Sequence, residues 1–250
     1  MSPNQSNNRF SLGAKYVWRG MSLITKPRLR RFVVIPLLIN IVVFGLGIFA
    51  LTNVIEWALT FLPSWLQWLR WLLYPLFVVA SLAVVFYTFS VVANLLASPF
   101  NGLLSGAVER YLLDQPKSEQ AIVLREIFRE LARTLLAEFR KLVYFILWAI
   151  PCLILFIIPG VNVLAPIVWF GFGAWMLAIE YVDCPLGNHG QPYPEVKAHL
   201  QQRRRLALGF GMATMLLTLI PILNFIAMPV GVAGATALYI DHFKDNDLTK

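Results

Sequence analysis

Long apolar runs, separated by basic or broken segments, make up most of this chain. Residues 32–53 and 72–98 are each longer than the roughly 20 residues that an α-helix needs to cross the hydrocarbon of a bilayer, so we predict a transmembrane helix in each. Residues 9–31 join an amphipathic stretch, in which Lys15 and Arg19 stand among aromatic and aliphatic side chains, to a basic cluster. Such a helix is typical of the membrane interface.

One short pattern occurs twice near the end of the chain. Pro159 and Asn162 break the apolar run 142–182, and Pro221 and Asn224 break the run 206–240 at the same spacing. Proline cannot continue a helix from its own interior, and the Asn amide can bond backbone groups that a break leaves open. We therefore predict two helical hairpins whose breaks line a transport pathway. Ordinary turns between spanning helices are the alternative.

The legs of these hairpins are short. Residues 206–220 and 225–239 would each form a helix of about 22 Å, whereas the hydrocarbon is about 30 Å thick. Pro151 is expected to interrupt the first leg of the earlier hairpin. Two half-penetrating hairpins fit these lengths at least as well as four full crossings, provided that the broken backbone faces protein or water.

Charged residues are frequent in the segment between the second transmembrane helix and the first hairpin. Residues 98–102 are expected to interrupt the helix, and residues 99–141 to form cytoplasmic helices. The predicted fold is an all-α integral membrane protein with one membrane domain over residues 1–250. It contains two long transmembrane helices, two Pro/Asn-broken and half-penetrating helical hairpins, and an interfacial N-terminal helix.

Composition agrees with a membrane protein. Hydrophobic residues make up 58% of the chain, charged residues only 14%, and the mean hydropathy is +0.68, which sets it apart from soluble domains. The two cysteines and the three histidines show no disulfide or metal-ligand spacing, and the histidines are expected in loops. No P-loop is present. We predict no cofactor and no metal. We also predict that the chain is not an enzyme, because its acidic residues are dispersed and the sequence has no catalytic Cys/His pair and no cofactor motif.

Basic residues set the expected topology. The net charge is +8, and Lys and Arg concentrate in residues 1–31, 107–141 and 203–205. Because Lys and Arg accumulate on the cytoplasmic side of membrane proteins, we place both termini, the central segment and a loop over residues 183–205 in the cytoplasm, and residues 54–71 outside. Anionic lipid headgroups and an anionic solute are the expected partners, and no nucleic acid is needed to explain the charge.

Three arginines stand immediately before the first predicted transmembrane helix: Arg28, Arg30 and Arg31. Their guanidinium groups match tetrahedral oxyanions, and open N–H groups at a helix start favour an anion. The alternative is a topological anchor at the lipid headgroups. Glu109 and Glu180 lie near predicted membrane ends, either as structural partners of Arg residues or as a gate for anions.

Several short motifs, taken in their order along the chain, resemble those of the CysZ sulfate permeases of bacteria. The resemblance runs from about residue 10 to residue 240. It rests on Lys26-Pro27 with Leu29-Arg30, on Ala97-Ser98-Pro99-Phe100-Asn101 leading to Val108-Glu109, on the Pro159/Asn162 and Pro221/Asn224 pairs, and on Glu180-Tyr181 with Asn188-His189-Gly190.

The resemblance implies ATP-independent sulfate uptake through a channel or permease of the bacterial inner membrane, supplying cysteine biosynthesis, by a homo-oligomer. The family's Gly-Leu-Arg sulfate motif falls on Arg28, Leu29 and Arg30, with Arg31 beside them, so Arg28 replaces the family's Gly. Glu109, Asn162 and Asn224 are expected along the pathway or its gate. Sulfite, thiosulfate, selenate and molybdate are further candidate ligands. The alternative is a non-transporting scaffold that docks a partner through residues 118–141.

Overall fold

The structure, a computed structural model, describes residues 3–60, 70–115 and 124–244. Within these ranges all regular structure is helical, which confirms the all-α prediction for them. The helices are α1 (Pro3–Ile24), α2 (Arg31–Thr60), α3 (Arg70–Leu112), α4 (Leu124–Ile157), α5 (Ala165–Asn188), α6 (Tyr193–Gln202), α7 (Arg204–Leu219) and α8 (Pro221–His242). A short 3-10 helix, Asn162–Leu164, precedes α5.

Four segments of the described chain are long and apolar enough to cross a membrane, judged by length and composition: Arg31–Val54, Phe139–Ile157, Asn162–Asn188 and Pro221–His242. They support the predicted membrane protein. The first matches the predicted transmembrane helix 32–53, and the predicted helix 72–98 lies within α3. Parts of the predicted outer segment (61–69) and of the predicted cytoplasmic segment (116–123) lie outside the described residues.

The chain divides into two compact units, Met1–Arg30 with Asn101–Lys250, and Arg31–Phe100. The smaller unit holds α2 and most of α3. Leu46 and Phe49 on α2 are 62% and 68% exposed, and α2 is apolar on all sides. A helix of this kind is suited to a lipid environment.

The core of the larger unit is built around α8. Every residue from 230 to 239 is buried, and α1, α5 and α7 pack against this helix. Small residues make the packing close. A Cβ on Gly211 would lie 1.9 Å from the carbonyl oxygen of Ala174 on α5, so α7 and α5 touch backbone to backbone.

Helix α1 packs on α7 and α8 through two glycines. A Cβ on Gly13 would lie 2.2 Å from the carbonyl oxygen of Leu206, and one on Gly20 would lie 2.2 Å from that of Val230. Tyr16, Val17, Leu23 and Ile24 are buried. The apolar stripe that the sequence assigned to the membrane interface is therefore covered mainly by protein, although Trp18 stays 73% exposed.

Several helices run further than predicted. The predicted interruption at residues 98–102 is wrong, because α3 continues through it, and α4 passes from the charged segment into the first hairpin leg without a break. Pro151 lies inside α4 and does not interrupt it. Proline removes one donor from a helix, and the flanking turns maintain it here.

The predicted loop over residues 183–205 is also wrong in large part. Helix α5 extends to Asn188 and α6 begins at Tyr193. His199 therefore lies in α6 and His242 in the last turn of α8, and only His189 caps a helix end. The second leg of the first hairpin was predicted over residues 163–179, and the part of α5 beyond it carries Glu180 and Asp183, so it does not lengthen the apolar part of that leg.

Both predicted breaks are present. They contain one equivalent backbone hydrogen bond but differ in backbone conformation. The backbone N–H of Asn162 donates to the carbonyl of Ile158 at 3.0 Å, and that of Asn224 donates to Ile220 at 2.8 Å. In the first break Gly160 has φ +82°, a left-handed conformation that favours glycine. In the second, a single extended residue, Ile220, separates α7 from Pro221 at the start of α8.

Candidate functional site

The arginine turn, residues 26–30, connects α1 to α2 and holds most of the predicted sulfate-binding residues. The N–H groups of Leu29 and Arg30 donate to the carbonyl of Lys26 at 2.9 and 3.0 Å. Leu29 is only 1% exposed, whereas Arg28 and Arg30 are exposed. Leu29 thus presents neither its side chain nor its N–H to an anion, and its burial anchors the turn so that the flanking guanidinium groups reach solvent.

Arg28 occupies its position without backbone strain. Asp114 is the single non-glycine residue with a positive φ in the described ranges, so the backbone at Arg28 does not require the glycine found in the related motif. The helix start predicted next to the arginines is confirmed, since α2 begins at Arg31. The guanidinium carbon of Arg31 lies 4.8 Å from the centre of the Phe32 ring.

Glu109 lies in the last turns of α3 and is largely buried. Its Oε2 lies 2.9 Å from Nε2 of His189 and its Oε1 lies 3.0 Å from Nζ of Lys244. Burial alone would raise the pKa of Glu109, but the hydrogen bonds from Lys244 and His189 outweigh it and hold the pKa below its ordinary value. Glu109 therefore joins three segments as a carboxylate, and its partners are Lys and His where the sequence suggested Arg.

A buried lysine joins the two helices of the first hairpin. Nζ of Lys141 on α4 lies 2.9 Å from Oε2 of Glu180 and 3.1 Å from Oδ2 of Asp183, both on α5. The lysine side chain is 6% exposed, whereas that of Glu180 is 45% exposed. Glu180 thus has a lysine partner, and the three charges fix the register of α4 against α5.

The two break asparagines, Asn162 and Asn224, are exposed. Neither the 3-10 helix at Asn162 nor α8 has a side-chain cap hydrogen bond, because Val161 and Ile220 occupy the cap positions. Asn224 lies inside the first turn of α8, because Pro221 begins the helix. Neighbouring Val163 and Ile222 are 75% and 81% exposed.

The predicted site residues form separate groups. Within the described residues, no hydrogen bond or ion pair joins Arg28 or Arg30 to Glu109, or either of these groups to Asn162 or Asn224. No group of three or more His, Cys, Asp and Glu side chains suited to a metal occurs there either. The structure thus presents exposed guanidinium groups at one place and broken apolar segments at two others.

Sequence reasoning missed a cluster at the end of α8. Asp241 and His242 contact Tyr16 and Arg19 of α1 and Arg203 before α7. The only local signal was an acid and a histidine directly after an apolar run. Their partners lie about two hundred positions away for α1, and no periodicity reports such a pairing.

Comparison with known proteins identifies the family of this chain. The family model described as sulfate transporter CysZ/etoposide-induced protein 2.4 matches residues 16–229. Two curated relatives, each named sulfate transporter CysZ, come from Pseudomonas aeruginosa strains LESB58 and PAO1. Each is 41% identical over 245 residues, which cover 95% of this chain and 98% of the relative. The chain therefore belongs to the sulfate transporter CysZ/etoposide-induced protein 2.4 family.

Proposed function

We propose that this chain takes up sulfate across the bacterial inner membrane as an ATP-independent channel or permease. The observation that carries the proposal is the 41% identity, over nearly the full length of both chains, to relatives named sulfate transporter CysZ. Four apolar candidate spans and an exposed pair of arginines beside a helix start support it. The chain then acts as a transporter and not as an enzyme, and it supplies sulfate for cysteine biosynthesis.

Sulfate is first held at the arginine turn. Arg28 and Arg30 expose guanidinium groups on either side of buried Leu29, and Arg31 follows directly at the start of α2. Guanidinium groups bond tetrahedral oxyanions with paired N–H donors, and the first N–H groups of a helix add to the attraction. Leu29 contributes by holding the turn in place.

The anion then crosses along the two hairpin breaks. A sulfate ion needs hydrogen-bond donors at depth, and the exposed amides of Asn162 and Asn224 offer them at breaks marked by Pro159 and Pro221. Neutral donors suit a conduit because a fixed charge would hold a divalent anion too tightly. Glu109 gates this route by holding the ends of α3 and α5 and Lys244 together.

Both hairpins enter the membrane from the cytoplasm and penetrate it part-way, with both termini in the cytoplasm. Helix α7 has 16 residues, or about 24 Å, which is shorter than the hydrocarbon. The return leg was predicted as residues 225–239, but α8 has 22 residues, or about 33 Å, and is long enough to cross, so α7 is the leg that limits the depth of the second hairpin. The exposed apolar residues at the breaks pack against a second copy of the chain, so that the open backbone faces protein and the water of the pathway, and the transporter is a homo-oligomer. Anionic lipid headgroups bind the basic cytoplasmic surface.

Sulfate flux into liposomes that contain only this protein tests the proposal. An inside-negative potential opposes entry of a divalent anion by about 4.6 kcal/mol per 100 mV, so uptake of labelled sulfate should rise when the potential is reversed. Empty liposomes and liposomes with the Arg28→Ala/Arg30→Ala protein are the controls. Equal flux in all three preparations would overturn the proposal and leave a scaffold or another solute. Competition by sulfite, thiosulfate, selenate and molybdate then measures selectivity.

A further inference from the structure

A chain of hydrogen bonds joins the end of α8 to α1 and to the junction of α6 and α7. The Tyr16 hydroxyl donates to Oδ2 of Asp241 at 2.8 Å, and Nη1 of Arg19 bonds the same oxygen. On the other side, Nε2 of His242 lies 3.0 Å from the Tyr16 oxygen, and Nδ1 of His242 lies 3.2 Å from Nη1 of Arg203.

The donor and acceptor inventory fixes the direction of this chain. A guanidinium group only donates, so Nδ1 of His242 accepts from Arg203. The neutral imidazole then carries its hydrogen on Nε2 and donates to Tyr16, whose own hydrogen goes to Asp241. Every link runs toward Asp241, which is the final acceptor for both Tyr16 and Arg19.

These bonds add a directed polar restraint to the apolar contacts of α1. Gly13 and Gly20 let the backbones approach closely, and Val17, Leu23 and Ile24 are buried beside them, but none of these contacts pairs a donor with an acceptor. Tyr16 and Arg19 stand three residues apart, on one face of α1. Two directed bonds from that face to one carboxylate oxygen fix the rotation of α1 against α8.

The rotation of α1 sets the orientation of the arginine turn. Leu23 and Ile24 in the last turn of α1 are buried, and the N–H of Lys26 donates to the carbonyl of Leu23 at 3.0 Å. The turn is thus bonded directly to the end of the helix. Helix α1 also carries basic residues and no acid, so Asp241 supplies a negative charge opposite its basic face.

We infer that Asp241 is a positioning residue for anion binding: it holds α1 through Tyr16 and Arg19, and thereby places Arg28 and Arg30. The inference rests on the proposed function in that the anion is sulfate. Asp241 does not contact the anion. Its loss lowers the fraction of molecules with a correctly placed turn, and the apparent affinity falls by that fraction.

Two substitutions remove the bonds with little change in shape, Asp241→Asn and Tyr16→Phe. Titration calorimetry with sulfate on the purified protein should show the dissociation constant rising about three- to tenfold in each, because partly exposed ion pairs contribute modestly. Asp241→Glu should restore much of the affinity. Glu195→Gln on α6 is the matched acid-to-amide control and should bind as the wild type does.

A distance measurement separates positioning from general loss of stability. Spin labels at Ser22→Cys and Gln202→Cys, both exposed and in the larger unit, report α1 against the α6–α7 junction in a background of Cys152→Ala and Cys184→Ala. Asp241→Asn should broaden the distance distribution while the thermal unfolding midpoint stays near that of the parent. The double variant Arg19→Asp/Asp241→Arg, which exchanges the two charges, should narrow the distance distribution again.

Wild-type affinity and an unchanged distance distribution in Asp241→Asn would overturn the inference and leave the apolar contacts as the whole restraint. A weakened affinity with no change in distance, or with no recovery in Asp241→Glu, would overturn it as well. If the wild-type protein itself binds no sulfate, the proposed function fails, whereas the spin-label distances still decide whether Asp241 positions α1.

Discussion

Glu109 accepts a hydrogen bond of 2.9 Å from His189, which ties the end of α3 to the end of α5 across 80 positions of the chain. Lys244 bonds the other carboxylate oxygen at 3.0 Å, so one buried side chain fastens three segments. The arrangement requires the ionised carboxylate, because a protonated one would lose an acceptor to Lys244.

The first prediction concerns acid stability. The folded pKa of Glu109 lies below its ordinary value of 4.5, so its bonds stabilise the fold above that pH and the stabilisation is lost as the pH falls through the folded pKa. Glu109→Gln should therefore lower the unfolding temperature at pH 7 and show less further loss below about pH 4.5. Thermal unfolding of both proteins across pH 3–7 measures this, and parallel curves would contradict it.

The second prediction concerns the arginine turn. Charge-assisted hydrogen bonds contribute about 1.5–3 kcal/mol each, so Arg30→Ala should weaken sulfate binding roughly tenfold or more, and Arg31→Ala similarly. Arg140→Ala, an exposed arginine on α4, is the charge-matched control. Direct titration of the purified proteins decides the matter. Wild-type affinity in both variants would make the arginines a topological anchor only.

The third prediction concerns the hairpin breaks. Because neither asparagine caps a helix through its side chain, Asn162→Leu and Asn224→Leu should change stability little. They should nevertheless reduce sulfate flux in liposomes, while sulfate binding at Arg30 persists. Asn53→Leu on α2 is the matched control and should leave flux unchanged. Folded Asn162→Leu and Asn224→Leu proteins with wild-type flux would place the pathway elsewhere, such as a subunit interface.

The fourth prediction concerns depth. In a background without Cys152 and Cys184, single cysteines at Val161 and Leu223 should react slowly with bulky, membrane-impermeant thiol reagents added from outside. Thr60→Cys at the end of α2, on the side predicted to face outward, supplies the fast control. Labelling of Val161→Cys and Leu223→Cys at the control rate would show that the hairpins cross the membrane fully.

The fifth prediction concerns the packing of α1. Gly13→Ala should destabilise the protein by about 1–3 kcal/mol, because its Cβ would overlap the carbonyl of Leu206. Gly171→Ala on α5 is the control: its Cβ would meet nothing within 4 Å, and alanine is the better helix former by roughly 1 kcal/mol. Thermal unfolding of both variants in the same detergent measures the difference. An equal loss of stability in both variants would mean that α1 does not dock as described.

Local chemistry accounts for what the sequence could predict. The length of an apolar run was enough to predict α2, and Pro159 and Pro221 were enough to predict the two breaks. Each prediction depends on residues that are close together in the chain. Pro99 and Pro151 misled for the same reason: whether a proline ends a helix depends on neighbours that hold the flanking turns. The bonds of Glu109 to His189 and Lys244 span 80 and 135 positions, and no local pattern encodes such pairs.

Helix α4 has a mechanical consequence of its own. Its 34 residues form a rod of about 51 Å, longer by some 20 Å than the hydrocarbon of a bilayer. A force applied to its polar end near Leu124 therefore reaches the break at residues 158–161 without passing through a loop. Pro151 removes one backbone hydrogen bond of this helix close to that break, and proline is the residue at which long helices most often bend.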